Sequence, residues 1–101
     1  MIKVEPLWLD DRPFTYIEVE LPQTTLLIIS NDLGYIMCGA LDVDLLNNKL
    51  AHRKIIAGRA VGVRSRDELI YAPLQMVTEY AAKEYGWYEG MIGKHALLSL
   101  P

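Results

Sequence analysis

Two nearly continuous apolar runs, TTLLIIS (Thr24–Ser30) and YIMCGAL (Tyr35–Leu41), stand four residues apart and constrain this chain more than any other feature. A strand with one wet face alternates apolar and polar side chains, whereas a run without alternation is the pattern of a strand buried on both faces. Both segments therefore belong near the centre of a sheet, and the rest of the chain has to cover two faces. Asn31-Asp32-Leu33-Gly34 between them reads as a short hairpin loop, with Gly34 suited to a positive φ.

The preceding residues form a second strand pair. Ile2–Leu9 and Phe14–Leu21 are strand-like runs on either side of Asp10-Asp11-Arg12-Pro13, a turn-forming cluster, which predicts an antiparallel hairpin. Pro6 cannot donate a ladder hydrogen bond, so the first strand is an edge or carries a bulge. Alternation places Ile17, Val19 and Leu21 on one face and Phe14 and Tyr16, with Glu18 and Glu20, on the other. Both faces are apolar near the turn. In a chain of 101 residues this surplus predicts either a subunit interface, with Leu7, Trp8, Leu9, Phe14 and Tyr16 as its residues, or cover by the C-terminal helices.

At Asp42 the period changes. Val43, Leu46 and Leu50 share a helical face, and Asp42 is a natural N-cap, so a helix of about three turns is expected. Ile55–Val63 (IIAGRAVGV) is again strand-like, and strand, helix and strand make a parallel, right-handed crossover. Ser65 and Glu68 have capping-box spacing and open a short helix through Leu69 and Ile70. Pro73 reads as the first turn of a further helix carrying Leu74, Val77, Ala81 and Ala82 as far as Gly86. Gly90–Leu100 is a last helical segment, weakened at Gly93. The expected fold is α+β, close to α/β: N-terminal β-hairpins, a β-α-β unit and C-terminal helices around one mixed sheet. Residues 1–101 are expected to form a single domain, with 1–30 a β-rich region, the candidate for oligomerisation, and 31–101 an α/β core.

If the Tyr35–Leu41 and Ile55–Val63 strands are parallel, their C-terminal ends share one sheet edge, where pockets of α/β units commonly lie. Cys38, Gly39, Asp42, Arg59, Gly62, Arg64 and Ser65 fall near it. Cys38, the one cysteine, reads either as a thiolate stabilised by a helix N-terminus or Arg64, or as a small buried hydrophobe. Arg59 shares a strand face with Ile55, Ala57, Val61 and Val63, so it is either an ion-paired structural residue or part of a site for a small anionic ligand. Asp42, Asp44, Asp67 and Glu68 are its candidate partners. Gly58 and Gly62 flank it in GRAVG, which is neither a phosphate-binding loop nor a dinucleotide fingerprint. The acidic set Asp10, Asp11, Glu18 and Glu20 reads as solvated charge that discourages edge aggregation.

Several classes are disfavoured. A formal charge of −3, with ten scattered Lys and Arg, offers no basic surface for nucleic acid. The opening MIKVEPLWLDD carries acidic residues where a secretory leader would be apolar, and no apolar run reaches the ~18 residues that span a bilayer. A lone cysteine fits a reducing compartment, so a cytoplasmic protein without membrane association is expected. His52 and His95 lack metal-site spacing with Cys38, and no cofactor fingerprint occurs, so neither metal nor cofactor is expected.

The segments NDLGYIMCGALDV (Asn31–Val43), AGRAVGVRSRDEL (Ala57–Leu69) and GMIGKHAL (Gly90–Leu97) make the chain resemble the YunC-like family, domain of unknown function 1805, over essentially its whole length. That resemblance implies an α/β or α+β domain whose N-terminal β region serves in tetramerisation, and it transfers no catalytic residues. Function is therefore expected to be that of a homo-oligomeric, non-enzymatic binding or interaction module. The competing expectation is a small cysteine-dependent or anion-handling enzyme using Cys38, Arg59 and Arg64.

Overall fold

A computed structural model describes residues 1–101. Six strands form one mixed sheet in sequence order: β1 (Ile2–Leu9), β2 (Arg12–Leu21), β3 (Thr24–Ser30), β4 (Gly34–Met37), β5 (Ile56–Arg59) and β6 (Met76–Val77). Only β4 and β5 are parallel, as the strand-helix-strand reading requires. The helices are α1 (Val43–Asn48), α2 (Arg66–Tyr71), α3 (Glu79–Tyr85) and α4 (Gly93–Leu98). The chain is thus α+β around a mixed sheet.

Turn chemistry sets the registers of the first three strands. Asp10 and Asp11 have φ of 47° and 66°, which fits the type I′ turn that matches strand twist, and Leu9 pairs with Arg12 across it. Pro13 consequently lies within β2 rather than in the turn. Pro22 followed by Gln23 at φ 64° fits a type II turn and pairs Leu21 with Thr24. In the third connection Asn31 Oδ1 accepts from the N–H of Leu33 at 2.9 Å and of Gly34 at 3.0 Å. Gly34 is not at positive φ. It is needed because β5 approaches closely: a Cβ there would lie 2.7 Å from both the Ile56 carbonyl and Ile56 Cγ2.

The pairs Leu7/Phe14, Tyr16/Ile29 and Ile29/Ile36 place these side chains on one face of the sheet. There α2 and α4 pack, with Leu69, Ile70, Ala96 and Leu97 joining the main core. At Gly58 a Cβ would meet Leu74 Cδ1 at 2.8 Å and Trp87 Cζ3 at 3.4 Å, so this glycine lets the C-terminal segment lie directly on β5. Arg12 Nη1 donates to the Leu98 carbonyl at 2.8 Å and Lys94 pairs with Asp10 at 3.2 Å, fastening the hairpin turn to α4.

Leu7, Leu9, Phe14 and Tyr16 therefore belong to this inner face and not to an exposed surface: Leu9, Phe14 and Tyr16 are core residues and Leu7 packs against them. Of the residues expected at a subunit interface, Trp8 alone faces outward on the open side. The hairpin's two apolar faces could not be ranked by alternation alone, because the ranking depends on which face α4 reaches.

Three segments differ from expectation. The helix after Asp42 ends at Asn48, where two asparagines favour leaving the helix, and a 3₁₀ turn (Ala51–Arg53) follows. The strands of the parallel pair stop at Met37 and Arg59, short of Leu41 and Val63. Pro73 does not open a helix; it bridges to Ile92, and the extended segment after it supplies β6 against β5. Thr78 caps α3 instead, its Oγ1 accepting from the Ala81 N–H at 3.3 Å and donating to the Ile55 carbonyl at 2.7 Å. Overpacking against rigid backbone is costly, so Gly34→Ala should lower the unfolding free energy by about 2 kcal/mol in urea titration. Gly39→Ala, whose Cβ would lie an ordinary 3.5 Å from Val61 Cγ1, should cost under about 0.5 kcal/mol.

Candidate functional site

The strand-to-helix edge does not gather the side chains that the linear order suggests. Cys38 follows β4 on the inner face, 7% exposed, with its thiol 3.9 Å from the Thr25 carbonyl, a weak contact. Arg59 pairs with Met37 and so projects from the opposite face. Its Nε and Nη2 donate to Gln75 Oε1 at 2.9 and 2.7 Å, and Nη1 donates to the Leu41 carbonyl at 3.0 Å. The arginine is thus held by neutral acceptors, and none of Asp42, Asp44, Asp67 or Glu68 forms an ion pair with it.

Asp42 and Ser65 are spent on capping: Asp42 Oδ1 accepts from the Leu45 N–H at 3.0 Å, and Ser65 Oγ from the Glu68 N–H at 3.2 Å. Gly39 packs against Val61, and Gly62 turns the chain at φ 76°. The sheet separates Cys38 from Arg59, so no thiol and guanidinium share a pocket there. Loops of this length put consecutive residues on different faces, which spacing along the chain does not reveal.

Of that set, Arg64 and Ser65 line a different, open recess of about 390 Å³, together with Lys3, Glu5, Tyr16, Glu18, Arg66 and Asp67. It opens on the inner face at the end of the first hairpin remote from its turn, beyond the reach of α4. Tyr16 forms part of it. The ring is buried, and its hydroxyl donates to Glu18 Oε1 at 2.7 Å. Arg66 Nη1 pairs with Glu5 at 2.9 Å, tying the start of α2 to the edge strand, and its Nε lies 3.7 Å from Asp67. Burial, reinforced by the hydrogen bond to Glu18 and that negative charge, pushes the Tyr16 phenol well above its ordinary pKa. A neutral phenol therefore holds one oxygen of the Glu18 carboxylate.

Sequence reasoning missed this constellation. The alternation of Glu18 and Glu20 with Phe14 and Tyr16 was the available signal, but the opposing Lys3/Glu18 and Glu5/Tyr16 pairs follow only from the two-residue turn.

The other face of the hairpin sheet is different in kind. The pairs Ile2/Val19, Val4/Ile17, Ile17/Ile28 and Val19/Leu26 run side by side over β1, β2 and β3. Thr15, Thr24 and Ser30 are the polar residues among them, and the face carries no charge until Arg59 on β5. Ile2, Val4 and Trp8 are 71%, 63% and 63% exposed. α1 packs over β5 on this side and buries Val43 and Ala57, leaving β1–β3 bare.

Residues 37–100 match the family described as Domain of unknown function (DUF1805). Over 100 residues the chain is 53% identical to the uncharacterized protein YunC of Bacillus subtilis (strain 168), covering 99% of this chain and 98% of that protein. It is also similar to the crystal structure of a protein of unknown function from Thermoplasma acidophilum, with a TM-score of 0.86 and 24% identity over 100% of this chain and 94% of the other. That last likeness is one of fold. No helix is long and apolar enough to cross a membrane.

The buried phenol has a measurable consequence. A tyrosine whose folded pKa is raised keeps its proton while the unfolded chain loses it, so its stabilisation is complete below the ordinary tyrosine pKa of about 10 and declines as pH rises beyond it. Tyr35, raised by burial, has the same sign. Denaturant unfolding measured from pH 8 upward should show stability falling above about pH 10, and Tyr16→Phe should flatten that fall. An unchanged alkaline slope in the variant would contradict the assignment.

Proposed function

This chain belongs to the DUF1805 family, and we propose that it acts as a homo-oligomeric, non-enzymatic interaction module that assembles through the bare outer face of β1–β3. The observation that carries this reading is the character of that face: three paired strands, aliphatic across their width, free of charge and without a helix over them. Monomeric proteins rarely present a contiguous apolar patch of such extent to water, and fully covering a side chain such as Val4 or Ile2 is worth about 2 kcal/mol. The face is also self-complementary in chemistry, because two copies related by a two-fold axis oppose aliphatic side chains to aliphatic side chains without placing like charges together. Two sheets stacked in this way pack about 10 Å apart, as in a sandwich core.

A closed tetramer, the assembly we favour, needs a second contact beyond the face. The outer edge of β1 carries unpaired backbone groups that suit one, interrupted at Pro6. The non-enzymatic part of the reading rests on the separation of Cys38 from Arg59 by the sheet and on the burial of the thiol.

Native mass spectrometry at about 10 µM should report a multimer, most simply four subunits. Val4→Asp and Trp8→Asp add a charge at side chains already exposed in the folded chain, so each should yield folded monomer or a smaller assembly. A monomeric wild type, or an assembly indifferent to both substitutions, would sink the proposal. Cys38 should react with iodoacetamide only on denaturation; a fast folded-state reaction below about pH 8.5 would instead support thiol chemistry.

A further inference from the structure

We propose that the recess between the first hairpin and the start of α2 binds a small zwitterion of amino-acid size, its ammonium group on Glu18 and its carboxylate on Arg64 and Lys3. The charge arrangement selects this class. Lys3, Arg64 and Arg66 face Glu5, Glu18 and Asp67, so the charged lining sums to zero. Within it Arg66 is taken up by Glu5 at 2.9 Å and approached by Asp67 at 3.7 Å. Lys3, Arg64 and Glu18 have no ion-pair partner within 4.0 Å. The recess is thus lined by two cations without an ion-pair partner, Lys3 on the hairpin and Arg64 just before α2, and by one carboxylate with an oxygen to spare.

Glu18 is the best prepared of these. Tyr16, buried and neutral, donates to Oε1 at 2.7 Å and holds the carboxylate in place, leaving Oε2 to accept from a ligand. A polyanion would meet three carboxylates here and a simple cation would meet three cations, whereas a molecule carrying both charges opposes neither. Nor do the acidic side chains converge as a metal-binding set. The volume of about 390 Å³ lies at the small end of ligand pockets, which suits a single compact molecule. Because the recess opens on the inner side of the sheet, opposite the outer face of β1–β3, binding does not depend on the face-to-face contact.

Thermal unfolding of the full chain with each of the common L-amino acids at about 10 mM tests this, with sodium acetate, inorganic phosphate and methylammonium chloride as single-charge controls. At least one amino acid should raise Tm by about 4 °C or more, the controls should not, and Glu18→Gln and Arg64→Ala should each weaken binding at least about tenfold. Glu18→Gln keeps an acceptor for Tyr16, Arg64 is an exposed residue, and the subunit count of both variants by native mass spectrometry should equal that of the wild type. No shift with any amino acid, an equal shift with acetate or phosphate, or undiminished binding in both variants would overturn the proposal.

Discussion

A sheet with apolar side chains on both faces needs two covers, and the helices of this chain lie almost wholly on one side of β1–β4. The rest of the structure depends on that imbalance. The inner face is sealed by α2 and α4 and by the segment carrying Leu74 and Trp87. On the outer face α1 packs chiefly on β5, and Ile2, Val4 and Trp8 are left in contact with water. Burial of apolar surface is the dominant favourable term in folding and association alike, and the proposed assembly is the one in which a second copy supplies the cover that the chain lacks.

The same asymmetry explains why the polar recess lies where it does. Lys3, Glu5 and Glu18 are on the inner face, but at the end of the hairpin that α4 does not cover; Leu7, Leu9 and Phe14 are at the end that it does. Along a single pair of strands one face therefore changes from core to charged wall, and Tyr16 stands at the change. Its ring is core and its hydroxyl is part of the wall, which is how an aromatic residue with a polar tip can serve both. The proposed association and the proposed binding site thus use opposite faces of the same two strands.

Much of this architecture could be read from residue order. The apolar runs at Thr24–Ser30 and Tyr35–Leu41, the changed period at Asp42 and the cap at Ser65 correspond to central strands, a crossover and α2. Pro6 left β1 either an edge or a bulged strand, and the sheet order makes it an edge. Two things were not. Leu74 and Val77 are spaced as a helix would space them, yet Thr78 caps the helix only afterwards, because pairing with β5 and Ile92 competes for the preceding backbone. The expected site also required knowing that neighbours in sequence, such as Cys38 and Arg59 with its Met37 partner, emerge on opposite faces. That depends on the register of the parallel pair β4–β5, which the crossover between them sets and composition does not.

The central claim is that the outer face of β1–β3 is covered in solution by a second copy. Acrylamide quenching of the intrinsic fluorescence tests it most directly, since the chain has two tryptophans and Trp87 is 2% exposed while Trp8 is 63% exposed in the isolated chain. Any quencher-accessible fraction therefore reports on Trp8. The account predicts that both tryptophans resist quenching at micromolar concentration, with an accessible fraction growing as dilution separates the subunits. A Trp8 signal quenched freely and equally at every concentration would contradict it.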